Sequence, residues 1–200
     1  WISNMKITKQ KLKEIIKEEI KEILSMAAGD FDDYDIGPTK NYGGEGSKSS
    51  GAYNHNKISS NLVGVKSEKA TAVYLKRFIP KEDIMEHYID FTNKTLKGDL
   101  NVYGQALEIK GLRPHQWDKF KRMIPPNQLK SYVRDDAIVV WTTADGDSKK
   151  PKVKLMGWNY AHEVKAKGVD VQTICANVWL ENDEDMHPIE DLPQVLRRFK

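Results

Sequence analysis

The sequence predicts an α+β fold: a mostly antiparallel sheet with helices on one face, preceded by an N-terminal amphipathic helix on a flexible arm. Three observations lead there. Three strand-like runs near the C-terminus, 136–145, 152–161 and 169–180, are joined by short links, which favours antiparallel pairing. Upstream of them, two stretches opened by Pro80 and Pro114 read as helices alternating with strands. Composition also shifts near Ser67, where a segment rich in Gly, Ser, Asn and Asp gives way to apolar periodicity. These divide the chain into a leader helix (1–28), an arm (29–66) and an α+β domain (67–200).

The leader, "MKITKQKLKEIIKEEIKEIL", is the most regular stretch. Thr8 is placed to cap it, and Ile7 and Leu12 have the spacing of a hydrophobic staple. Leu12, Ile16, Ile20 and Leu24 recur every four residues, and Ile15 and Ile23 widen the stripe. Gly29 stops the helix. A narrow stripe on a helix of this length is marginal alone, so it needs a surface. Three surfaces are open: its own domain, another protein or a second copy, or a membrane. The Glu-bearing polar face and the absence of aromatics in the stripe disfavour the membrane.

The arm cannot bury enough apolar area to offset the entropy of ordering. It nevertheless spaces out Phe31, Tyr34, Tyr42 and Tyr53, which suit anchoring on a partner or brushing against the domain. Its "DFDDYD" run has Asp35, not glycine, at the sixth position of a calcium loop. Its "YGGEGSKSSG" lacks the strand and helix that frame a phosphate loop.

Within the domain, 69–79 reads as a strand, with helix as the alternative. Ile84, Met85, Tyr88 and Phe91 line one face of a helix after Pro80, ended by Gly98. Residues 100–111 read as a strand. "PHQWDKFKRMI" is a helix closed by Pro125-Pro126, with Trp117, Phe120 and Ile124 toward the core. Residues 136–160 carry a hairpin, 169–180 a further strand, and "LPQVLRRF" a last short helix.

The 200 residues carry a net charge of +3, unevenly spread. Residues 110–134 hold seven Lys/Arg against Asp118, 149–167 six Lys against Glu163, and 181–191 six acids with no base. In the first of these, Arg113, Lys119, Lys121, Arg122, Lys130 and Arg134 are candidate phosphate contacts. His115, Trp117, Phe120 and Tyr132 are candidate stacking groups. The competing reading is an amphipathic helix with a solvated basic face. The basic tip of "DGDSKKPKVK" reads as a soluble turn or as a groove probe. His162, Glu163, Asp183, Asp185 and His187 gather acids and histidines without the spacing of a zinc site. No elbow, phosphate-loop or dinucleotide motif is present, so neither catalytic residues nor a cofactor are assigned. Cys175 lies in an apolar run and reads as a buried thiol. With no apolar run of membrane-spanning length and no secretory h-region, a reducing cytoplasm, or a particle assembled there, is expected.

The leader resembles those that open many proteins of marine tailed bacteriophages. It is also similar to the prohead-targeting peptides of myophage internal proteins, which are cut after Glu in a Leu/Ile-x-Glu triplet. Leu12-Lys13-Glu14, Ile16-Lys17-Glu18 and Ile20-Lys21-Glu22 match that triplet. The resemblance implies a virion-associated protein that docks on a capsid or prohead component, in host cytoplasm or virion. The residues by themselves keep two further readings open: a nucleic-acid-binding domain, and an enzyme without a recognisable motif.

Overall fold

The computed structural model describes residues 57–86, 97–120, 122–145, 152–172 and 176–200. The leader stripe, the arm aromatics, Tyr88, Phe91 and Cys175 lie outside them, as do Lys121 and the side chains of Lys119 and Phe120.

The first described element is a helix, α1 (Lys57–Lys76). It begins ten residues before the expected domain start and buries Val63, Val65 and Lys66 within the segment assigned to the arm. The strand expected over 69–79 is therefore corrected to its helical alternative. Val63, Ser67, Ala70, Thr71 and Tyr74 recur at three- and four-residue spacing and all are buried. That periodicity outweighs the β-branched composition.

After Pro80 the described residues form a 3₁₀ turn, Lys81–Asp83, and then a strand where the helix was expected to begin. Ile84 is already extended and opens strand β1 (Ile84–Glu86), which pairs antiparallel with β2 (Leu100–Val102). The single strand expected over 100–111 is a tight hairpin. Tyr103 and Gly104 both take left-handed φ (52° and 86°), the signature of a type I′ turn, before β3 (Gln105–Leu112). The Asn101 side chain spans the turn, its Oδ1 accepting from Gly104 N at 3.1 Å and its Nδ2 donating to Gly104 O at 3.2 Å.

Helix α2 (Pro114–Phe120) starts at the expected proline but is shorter than expected. Arg122, at a left-handed φ of 39°, turns the chain into the two-residue strand β4 (Met123–Ile124). Pro126 then opens α3 (Pro126–Arg134), a helix that sequence reasoning missed, which buries Leu129 and Tyr132. Strands β5 (Ile138–Ala144) and β6 (Val153–Tyr160) form the expected antiparallel hairpin.

The chain then leaves the sheet. Glu163 Oε2 accepts from Tyr160 N at 3.1 Å, a back-bond that starts α4 (Ala161–Lys167) directly after β6. The expected third meander strand is consequently a separate pair, β7 (Val169–Gln172) and β8 (Ala176–Trp179). Two 3₁₀ turns (Asp183–Asp185 and Ile189–Asp191) lead to α5 (Leu192–Leu196), where the last short helix was expected.

The class is α+β with a mostly antiparallel sheet, as predicted. The main sheet runs β1-β2-β3-β5-β6, with β3 and β5 parallel across the α2–β4–α3 crossover. A small sheet runs β4-β8-β7. Helices cover both faces of the main sheet, not one. Ile138 and Val140 pack on one face with Tyr74 and Leu75 of α1 and Leu196 of α5. Val139 and Trp141 pack on the other with Trp117, Leu129 and Val164 of α2, α3 and α4. Alternation along β5 feeds both cores, so every residue of that strand is buried.

Candidate functional site

The structure places four of the six candidate nucleic-acid cations, Arg113, Arg122, Lys130 and Arg134. Arg122 is fully buried. Its Nε donates to Leu180 O at 2.7 Å, Nη2 to Glu181 O at 2.5 Å, and Nη1 pairs with the Asp183 carboxylate. Its guanidinium also lies 5.8 Å from the Trp117 ring centre. Arg122 is thus a clamp between the α2–β4 turn and the acidic segment after β8, a correction to its reading as a phosphate contact. Trp117 is buried as a core residue, not presented for stacking, and Tyr132 is likewise buried. Arg134 is exposed but bonded to Asp135 and Ser131. Lys130 is exposed and Arg113 half-buried.

The histidine and acid set is brought together only in part. His187 Nε2 lies 2.9 and 3.1 Å from the two Glu163 oxygens. Burial raises the Glu163 pKa, but His187, the Tyr160 amide and Asn159 outweigh it and hold the carboxyl below its usual range. An ionised carboxylate only accepts, so the imidazole proton sits on Nε2. The imidazole stacks on Trp158 at 4.4 Å. Its backbone pairs with Trp158 in both directions, at 2.9 and 3.0 Å. Gly157 permits that approach, since a Cβ there would lie 2.8 Å from His187 O. Asp185 is drawn to Lys167 at 3.2 Å, Asp183 to Arg122, and His162 to Asp136 at 3.9 Å. The set is a clasp that holds segment 182–191 on β6 and α4. Among the described residues no group of three His, Cys, Asp or Glu side chains is disposed to hold a metal ion.

A third cluster was invisible in the sequence because its members are 31 or more residues from Glu68. Glu68 of α1 meets the field of Asp99 and Glu108. Burial, then Asp99, push Glu68 up to about 8 against the pull of Lys110. Burial, then Asp99, push Glu108 up to about 7. Asp99 Oδ2 accepts from Ile109 N at 2.7 Å, beyond the end of the β2–β3 pairing. Lys110 donates to Gln128 at 3.2 Å and lies 4.9 Å from the Tyr132 ring centre. The Tyr132 hydroxyl, which bonds Gln128 at 3.1 Å, also bonds Glu108. These carboxyls can hold protons near neutral pH within the α1–sheet contact.

What fold and clusters define is a class: an α+β unit whose buried polar groups mostly fasten one element to another. No known protein family, no curated protein and no solved structure matches the chain. No helix among the described residues is long and apolar enough to cross a membrane.

Proposed function

We propose that this is a non-enzymatic interaction protein whose N-terminal leader docks on another protein through Leu12, Ile16, Ile20 and Leu24. One observation carries the reading: helices of the described fold already cover both faces of the main sheet. The main-sheet core is therefore closed by described helices without the leader stripe. The resemblance of the leader to phage leaders points to a capsid or prohead component as that partner, met in host cytoplasm or virion.

The nucleic-acid reading has less support, because two of its six cations are engaged by the fold, Arg122 internally and Arg134 with Asp135. Two assays on the full chain separate the readings. A partner that co-purifies with the intact chain and is lost on deleting residues 5–28 supports docking. Binding to mixed DNA or RNA that falls steeply with salt and survives that deletion would replace docking with phosphate contacts by the domain.

A further inference from the structure

Residues 182–188 lie as a strap on β6 and α4. None of their side chains is fully buried, and Met186 packs half-buried on the core beneath α2, α3 and α4. The two ends are fixed more firmly. Leu180 before the strap and Ile189 and Leu192 after it are buried. Arg122 donates to the carbonyls of Leu180 and Glu181, and the Tyr74 hydroxyl donates to Ile189 O at 3.1 Å. Apolar burial and carbonyl acceptors are unchanged by acid, so these anchors do not titrate.

Between the anchors the attachment depends on carboxylates. Asp185 pairs with Lys167 at 3.2 Å, Asp183 with Arg122, and Glu163 with His187 Nε2 at 2.9 Å. Neutral bonds complete it: Asn159 Nδ2 donates to Asp185 O at 2.7 Å, and Trp158 Nε1 to Pro188 O at 2.9 Å. The strap in turn covers Trp158, whose ring stacks on the His187 imidazole and is only 3% exposed.

We propose that residues 182–188 form an acid-released strap: as Glu163, Asp183 and Asp185 take up protons, the segment lifts from β6 and α4 between its two anchors, uncovers Trp158 and leaves both cores folded. This device is independent of leader docking. Glu163 is faced by His187 of the strap and by the Tyr160 amide and Asn159 of β6. Asp185 is faced by Asn182 of the strap, Lys167 of α4 and Arg122 of the α2–β4 turn. Burial raises Glu163, but its hydrogen bonds outweigh that and hold it below its ordinary value; Asn182 and Lys167 hold Asp185 low. A carboxyl lowered in the closed state favours closure above its ordinary range, and that advantage is lost as pH falls through the lowered value. Each pH unit by which one carboxyl is held low changes the closed-to-open ratio about tenfold, and the factors multiply. Protonation of His187 does not release the strap, because a charged imidazole still donates from Nε2 to ionised Glu163.

The test is amide hydrogen exchange on the full chain from pH 7 to about pH 3, expressed as protection relative to an unstructured chain at each pH. The N–H groups of Asp185, Met186 and His187 report on the strap, since they donate to the carbonyls of Asn182, Asp183 and Trp158. Those of β5, buried along its whole length, report on the cores. The strap amides should lose at least about tenfold of their protection below the ordinary carboxylate range, while the β5 amides keep theirs. The triple variant Glu163→Gln, Asp183→Asn, Asp185→Asn should flatten the strap profile. Strap and β5 amides losing protection in step would mean that acid unfolds the whole domain, and would overturn the proposal. Strap protection that persists to about pH 3, or an unaltered acid profile in the triple variant, would overturn it equally.

Discussion

Arg122→Met isolates the most consequential correction to the sequence reading. Methionine keeps much of the apolar stem and removes the guanidinium. Leu180 O and Glu181 O then lose their charged donor inside the fold, while Asp183, whose side chain is 55% exposed, can turn to water. Each unmet buried acceptor costs about 1–3 kcal/mol, and the packing against Trp117 is lost as well. Removing one member of a buried charged network typically costs about 3–5 kcal/mol, and Arg122→Met is expected in that range. Arg122→Lys should recover little, because an ammonium cannot reproduce three divergent bonds. The assay is urea unfolding of the full chain followed by tryptophan fluorescence, with the midpoint shifted and the slope unchanged. Alongside it, retention on a polyanion column should not change. A loss below about 0.5 kcal/mol, the range of ordinary surface changes, together with weaker polyanion retention, would show that Arg122 faces solvent and phosphate after all.

Other perturbations test the two cores and the polar clusters. Trp117→Ala should cost about 3–5 kcal/mol by emptying the core between α2 and the sheet, and a change near zero in equilibrium unfolding would move Trp117 to the surface. Glu68 and Glu108 have folded pKa values raised from 4.5 to about 8 and about 7. The stability they contribute is thus complete below the unfolded value and is lost as pH rises through 7–8. Glu68→Gln should flatten that decline, by on the order of 2 kcal/mol at pH 9, and a melting profile that ignores the substitution between pH 5 and 9 would contradict the cluster. Glu163 has the opposite sign: its folded pKa is lowered, so its contribution is present above the ordinary carboxylate range and is lost as pH falls through the folded value. His187→Gln should shrink that acid-side loss, and an identical acid melting profile would mean that the clasp carries no linkage.

Where local signals agreed, the sequence reading held. The β5–β6 hairpin was legible because two apolar runs flank a polar, turn-rich link, and α2 because proline begins it. The β2–β3 hairpin was not, since its only overt signal is Gly104, and Tyr103 adopts a left-handed conformation that its neighbours, Asn101 above all, must support. Helix α3 was hidden by reading Pro125-Pro126 only as a stop, although Pro126 is also a suitable first residue. Composition favoured a strand at 69–79, and tertiary burial of the three-to-four spacing decided for α1. For the candidate sites the limit is different in kind. Nothing local says whether an arginine in a basic run points to water or, like Arg122, to carbonyls 58 residues away.

The central claim, that the leader stripe serves a surface beyond the chain's own fold, meets its most direct test in amide hydrogen exchange across residues 9–24 of the full chain, followed from dilute monomer to associated state. Fast exchange is predicted in the dilute monomer, because an isolated helix of this length is marginal, with protection appearing only on association. Strong protection that persists in the dilute monomer would contradict the account, since the stripe would then be packed on its own domain.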